Sequence, residues 1–438
     1  MYLSAGRSAD TTAGATAGPD GDRRRPPRGD TVRRAFAGNV VALGAVSLVT
    51  DVSAEMVTAV LPLYLVVGLG MSPLAFGALD GLYQGASVLA RLVGGRLADR
   101  AQRRKLVAGA GYALSAGCKL ALLAATTPWA VGAVLAADRT GKGLRTAPRD
   151  ALISLSCPPG DQGRAFGVHR AMDTTGALLG PLAAFAVLWA ARDGYDAVFT
   201  VSFCVAVLGV LLLVLFVRDA PARPTSTRRR PAGRRGRRVR RGERPWRALA
   251  RTAGLPRLCL TAAALGVVTV SDSFLYLLLQ RRLDLPAQYF PLLPVGAAAG
   301  FLLLAVALGR LADRIGRRRV FLGGHAALLG AYLLLLAPFG AAPAVAGGVL
   351  VLLGAFYAAT DGVLMAAAGP LLPGGLKASG LALVQTAQAL ARFAGSLLFG
   401  AGWMYLGPEG ALTAAAALLA IALVAAATLH AVHRRSRA

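Results

Sequence analysis

The chain has 438 residues, of which 55% are hydrophobic and 16% charged, against about a quarter charged in an ordinary soluble domain. A net charge of +27 would point to nucleic acid in a soluble protein, but here the surplus sits in short segments between long apolar runs such as Leu208–Val217 and Ala411–Leu429. A membrane-spanning helix needs ~20 mostly apolar residues, and stretches of that kind recur from Val40 to the C-terminus, so a soluble globular domain is excluded and no nucleic-acid partner is expected.

In chain order, Met1–Arg34 is rich in Gly, Ala, Thr, Asp and Arg with no apolar core. It is therefore no signal peptide, and a disordered cytoplasmic tail is predicted over 1–37. Six spans are predicted at 38–67, 74–97, 106–126, 128–150, 164–190 and 196–217, making an N-terminal half over 38–217. An Arg-rich linker with Pro and Gly but few apolar residues occupies 218–257 and is predicted to be cytoplasmic and solvated. Six more spans at 258–280, 288–312, 320–339, 343–368, 377–405 and 410–432 make a C-terminal half over 258–432, and a tail covers 433–438. Cys118, Cys157, Cys204 and Cys259 are scattered, without a CxxC or a His at ligand spacing, so no metal, disulfide or cofactor is expected.

Arg and Lys cluster in the tails, at Arg100–Lys105, in the linker and at Arg314–Arg319, while the loops at 68–73, 127, 340–342 and 406–409 hold none. Arg192 and the pair Arg281/Arg282 are the exceptions. The positive-inside rule then predicts a multi-pass protein of the cell (inner) membrane with both termini cytoplasmic. An internal repeat supports two halves. Gly95-Arg-Leu-Ala-Asp99-Arg100 after the second span recurs as Gly309-Arg-Leu-Ala-Asp313-Arg314 after the eighth, each before a basic cluster. Such repeats imply two halves around a midplane cavity.

The duplicated sequence resembles the signature loop of the major facilitator superfamily. The second copy, with Gly309, Asp313, Arg314, Gly316 and Arg317, matches it fully; the first, with Gly95, Asp99, Arg100 and Arg103, has Gln102 where the family usually has Gly. The resemblance implies an all-α membrane protein of 12 transmembrane helices in two six-helix halves, with these loops latching the cytoplasmic gate. The small Gly is expected to let two helices approach, and the Asp to cap or pair across the bundle. Asp138-Arg139-Thr-Gly-Lys142-Gly-Leu-Arg145-Thr-Ala-Pro-Arg149-Asp150-Ala-Leu is similar to a bacterial and archaeal subgroup whose fourth helix ends in GKGxRxxPRDAL. Thr50-Asp51 through Met56, Gly163 through Pro181, Ser271 through Phe274 and Tyr357 through Gly362 resemble the same subgroup. Gly176, Gly180 and Pro181 on the fifth span resemble the antiporter motif of exporters, although Ala183 and Ala184 replace its later glycines.

Ionisable groups at a helix centre cost about 2.5–3.5 kcal/mol on insertion scales and are usually functional. Asp51 and Glu55 share a face of span one. Arg139, Lys142, Arg145 and Arg149 form a stripe down span four. His169 and Asp173 are one turn apart on span five beside Arg170, and Asp272 and Asp361 are lone acids in spans seven and ten, with Tyr357 nearby. These residues are the expected substrate and proton pathway. The alternative is that they pair to seal the two halves, for example Asp51 or Glu55 with Arg139 or Lys142. Lys119 and Arg91 are read as snorkelling or paired residues outside that set. No nucleophile–base pair, metal triad or GxxxxGK[ST] sequence appears, so neither an enzyme nor an ATP-driven pump is expected. The resemblance implies a monomeric secondary transporter using protons to export a small organic molecule. The alternative is a proton-coupled importer of an organic anion or metabolite.

Overall fold

The computed structural model describes residues 28–83, 104–157, 161–191, 194–219, 252, 254–338, 343–360, 363–368, 371–372 and 377–435. Among these residues the chain is helical, with no strand. α1 is Arg28–Leu63, prolonged by a π-turn at Tyr64–Gly68. α2 is helical over 73–83, and its continuation lies outside the described residues. α3 (Arg104–Ala124), α4 (Pro128–Leu155), α5 (Gln162–Ala190) and α6 (Tyr195–Phe216) complete the N-terminal half. The C-terminal half holds α7 (Leu255–Val267), α8 (Asp272–Leu283), α9 (Leu292–Ile315), α10 (Arg317–Leu336), α11 (Pro343–Thr360), α12 (Val363–Ala368) and α13 (Lys377–Arg435).

Nine helical stretches among the described residues are long and apolar enough to cross a bilayer. The longest belongs to α13, which breaks at Gly407 (φ 75°, ψ 172°) before Pro408 and so makes two spans. α4 is absent from the nine because its stripe of charges lowers its hydropathy. It is instead covered by α3, whose backbone it meets at Gly111 and Gly141: a Cβ on either would lie 2.7 Å from the other's carbonyl oxygen. Such close approach is how helices associate where lipid offers no hydrophobic contrast.

Several boundaries differ from the sequence reading. α1 begins at Arg28, inside the predicted tail, and α4 runs on to Leu155. The seventh span is interrupted between α7 and α8 at residues 268–271, and one freed amide is satisfied when Val270 N–H donates to the buried Tyr332 hydroxyl at 2.7 Å. Arg281 and Arg282, which break the charge asymmetry, are used locally. Arg281 stacks over Trp403 at 5.2 Å, and Arg282 donates to carbonyls at the end of α10, Leu334 (3.2 Å) and Leu335, and to that of Ala337 just beyond it.

Within the N-terminal half, α1 packs against α5 and α6, and α3 against α4 and α6; in the C-terminal half α9 and α10 pack against α11, and α7 against α13. The halves meet at the end bearing the 284–291 loop. There α5 touches α9, α1 touches α8, and Phe185 and Trp189 stack with Tyr289 at 5.9 and 6.0 Å. α2 and α13 come into backbone contact at the same end: a Cβ on Gly77 would lie 2.5 Å from the Ser396 carbonyl, and one on Gly400 2.5 Å from that of Pro73.

Candidate functional site

The closed end caps a cavity of about 240 Å³ between the halves. Its polar lining is Glu55 and Thr58 from α1, Asp80 and Tyr83 from α2, Ser271–Ser273 where α7 gives way to α8, and Tyr276. Phe76, Leu79, Leu135 and Phe290 supply apolar walls, and Pro181 of the antiporter-like motif lines it too. The interruption before α8 is what brings Asp272 there. Asp272 occupies the first turn of a helix that starts mid-span, and the Tyr357 hydroxyl donates to it at 2.5 Å. The lone acid of its span thus has a hydroxyl partner on α11.

The stripe on α4 forms ion pairs within the N-terminal half. Arg145 pairs with Asp51 at 3.3 Å, and Lys142 with Glu55 at 3.8 Å. Arg149 pairs with Asp173 at 3.6 Å, donates to Ser47 at 3.2 Å and reaches Asp150 at 3.2 Å. Arg170 pairs with Asp173 at 3.6 Å from an exposed position. Arg145, Lys142 and Arg149 thus join α4 to α1 and α5; of the pairs named in the alternative reading Glu55 with Lys142 forms, within one half. Asp173 also lies within hydrogen-bonding reach of Asp51. His169 is buried, with no hydrogen-bond partner for either ring nitrogen among the described residues.

Arg139 takes a different partner from those of the alternative reading. Its guanidinium binds the neighbouring Asp138 at 2.6 Å and lies 3.9 Å from the centre of the Tyr83 ring. Asp138 also accepts from Ser115 at 2.5 Å and Lys119 at 3.3 Å. Lys119 is therefore a buried member of the network and does not snorkel. The largest omission of the sequence reading is Asp80. It accepts hydrogen bonds from Ser273 at 3.0 Å and Ser396 at 2.8 Å, both in the other half. An acid seven residues into an apolar span was the signal that could have marked it.

On α5, the glycines of the antiporter-like motif let α1 approach closely. A Cβ on Gly176 would lie 2.4 Å from the Leu48 carbonyl, and one on Gly180 2.6 Å from the Glu55 Cβ and 2.8 Å from the Val52 carbonyl. Gly309 differs, because a Cβ there meets nothing within 4 Å. Gly316 (φ 102°) makes the turn between α9 and α10, and Asp313 pairs with Arg317 at 3.8 Å in an exposed i,i+4 contact beside Arg314. Such a pair contributes about 0.2–0.5 kcal/mol, and it is local, not across the bundle. Gly95, Asp99, Arg100, Arg103 and Asp361 lie outside the described residues.

The sequence pattern of the Major Facilitator Superfamily matches residues 43–396. This chain belongs to that superfamily. It is 35% identical over 193 residues to an uncharacterized MFS-type transporter, MJ1317, of Methanocaldococcus jannaschii, covering 43% of this chain and 47% of that one. It is 33% identical over 187 residues to the uncharacterized protein Rv2265 of Mycobacterium tuberculosis, covering 43% and 45%. The matched region thus spans about half the length of these curated relatives. In fold it is similar to the nucleoside transporter NupG (TM-score 0.73, 14% identity, 89% of this chain and 98% of that one). It is also similar to an inward-facing, unoccupied bacterial homologue of the lysosomal transporter Spinster (TM-score 0.66, 15% identity, 92% and 95%). A superfamily chain with nine membrane-length apolar helices among its described residues is a multi-pass membrane protein.

Proposed function

We propose that this chain is a proton-coupled secondary transporter that exports a small organic molecule by alternating access. The observation that carries the reading is the set of carboxyl groups in the cavity between the halves: Glu55, Asp80 and Asp272, beside an interrupted helix. The cavity lining contains no lysine or arginine among the described residues, which favours a neutral or cationic solute over an organic anion. Glu55 lines the cavity and also pairs with Lys142, so a proton on Glu55 releases Lys142 and carries the event into α4. The tight seating of α5 on α1 through Gly176 and Gly180 supports export, by its likeness to the exporters' motif. With both termini cytoplasmic, the closed end faces outward and the protein stands in an inward-facing state. In that arrangement the basic loops are the cytoplasmic gate.

Reconstitution tests the reading. In inside-out vesicles with an acid interior, adding a transported neutral or amine solute should dissipate the proton gradient, as read by a pH-sensitive dye. Each proton draws on about 2.3 kcal/mol per 100 mV, so one or two protons suffice for a modest solute gradient. Asp272→Asn or Glu55→Gln should abolish gradient-driven uptake while sparing solute exchange at equal pH. Solute accumulation by the native chain without any gradient would overturn proton coupling, and gradient-driven movement in the opposite direction would make it an importer.

A further inference from the structure

Asp80 differs from the other carboxyl groups of the site in taking its hydrogen bonds from the opposite half. No ion pair to it exists among the described residues; its partners are hydroxyls, Ser273 on α8 at 3.0 Å and Ser396 on α13 at 2.8 Å, with Ser271 beside them. Each of these serines belongs to the half opposite Asp80. It also sits at a close approach of the seam, between Gly77 and Gly81. A Cβ on Gly77 would strike the Ser396 carbonyl at 2.5 Å, and one on Gly81 would strike the Phe393 ring at 2.7 Å. Phe76 stacks on Phe274 at 4.8 Å, and Phe274 on Phe399 at 4.9 Å, extending the seam in apolar contacts. Asp80 lines the cavity as well. One carboxyl group therefore touches both the space a solute would fill and the bonds that close the halves at this end.

We propose that Asp80 is the positioning residue whose carboxylate, once its proton has left to the cytoplasm, locks the closed end of the transporter. The inference rests on the proton-coupled reading above. As a carboxylate, Asp80 accepts from two serines at once, in charge-assisted bonds. As a carboxylic acid, one oxygen becomes a donor and both bonds weaken, so protonation favours separation of α2 from α8 and α13. The groups facing it are Asp272 and Tyr276 on α8, Tyr83 on its own helix, Glu55 on α1, and Arg392 on α13, whose charge acts on Asp272. The aromatic and glycine contacts remain after protonation, so the carboxyl biases the seam and does not hold it alone.

The test reads opening from both sides of the membrane. Pro294 lines the cavity at the start of α9. Pro294→Cys is placed in the full chain with Cys118, Cys157, Cys204 and Cys259 replaced by Ala, and a membrane-impermeant maleimide is applied outside cells or outside inverted vesicles. A hydrogen bond to a charged group contributes about 1.5–3 kcal/mol, so Asp80→Asn should raise labelling from the outside about tenfold or more. It should lower labelling from the cytoplasmic side and remove the dependence of both on the pH of the cytoplasmic side. Asp80→Glu should restore the pH response, and Ser273→Ala with Ser396→Ala should raise outside labelling while Asp80 is intact. Unchanged labelling in Asp80→Asn and in the serine pair, or a pH response that persists without Asp80, overturns the proposal. A rise on both sides together also overturns it, since that is mere loosening. Gradient-driven transport by the native chain is measured separately, so loss of this inference and loss of proton coupling are told apart.

Discussion

Asp138→Asn is the perturbation with the best-defined cost. Asp138 serves two cations, and without its charge Lys119 and Arg139 remain in place with side chains only 4% and 7% exposed. Breaking a buried pair by removing one partner costs about 3–5 kcal/mol, because the survivor stays uncompensated. Arg139 keeps the Tyr83 ring, and Lys119 keeps the Ser115 carbonyl at 3.0 Å, which places the expected loss near the lower figure, about 3 kcal/mol. For a unit the size of one half, that corresponds to a fall in Tm of about 6–12 °C. The assay is thermal unfolding of the purified full chain in detergent, followed by a thiol-reactive fluorophore in a version retaining Cys118 alone, which is buried beside Lys119. Adding Lys119→Met removes one of the two stranded charges and should recover at least about 1 kcal/mol, a coupling that a double-mutant cycle isolates. A fall in Tm below about 2 °C would refute the network as a stabilising unit, and so would a double variant no more stable than Asp138→Asn.

Two further outcomes follow from the packing and from the charge pattern. Gly180→Ala places a methyl against backbone of α1, with Val52 O at 2.8 Å and Met56 N at 3.0 Å, and should destabilise by about 1–3 kcal/mol. Gly167→Ala on the same helix meets nothing within 4 Å and should be neutral or stabilising by up to about 1 kcal/mol; equal effects at both sites, measured by the same unfolding assay, would contradict the account of α5 on α1. Reporter fusions at residue 240 and at the C-terminus should read cytoplasmic, and fusions at 70 and 408 external; an external signal at 240 would reverse the orientation.

Much of the site was legible because charges inside a bilayer are rare enough to notice. Asp51, Glu55, Arg145, Asp173 and Asp272 all stand out against apolar spans, and all take part in the polar networks of the structure. Pairing was harder to read, because it depends on which helix faces which. Helical spacing puts Arg139 and Lys142 on one stripe, yet Arg139 turns to Asp138, and Lys142 turns to Glu55. Asp80 was not singled out and Lys119 was read only as snorkelling or paired, and only the approach of α2 to α13 and of α3 to α4 shows what they bond.

What the sequence determined by itself is the membrane architecture. Long apolar runs, the asymmetry of Arg and Lys, and a duplicated loop are properties of segments, and the bilayer acts on segments directly. What the tertiary structure decided is the site. The interruption before α8 depends on Tyr332 of α10 receiving the amide of Val270. The cavity depends on two halves closing at one end, and the role of each carboxyl depends on partners that are distant in the chain, up to 316 positions for Asp80 and Ser396. A local pattern carries no record of such neighbours, because they are chosen by how helices pack and not by the helices themselves.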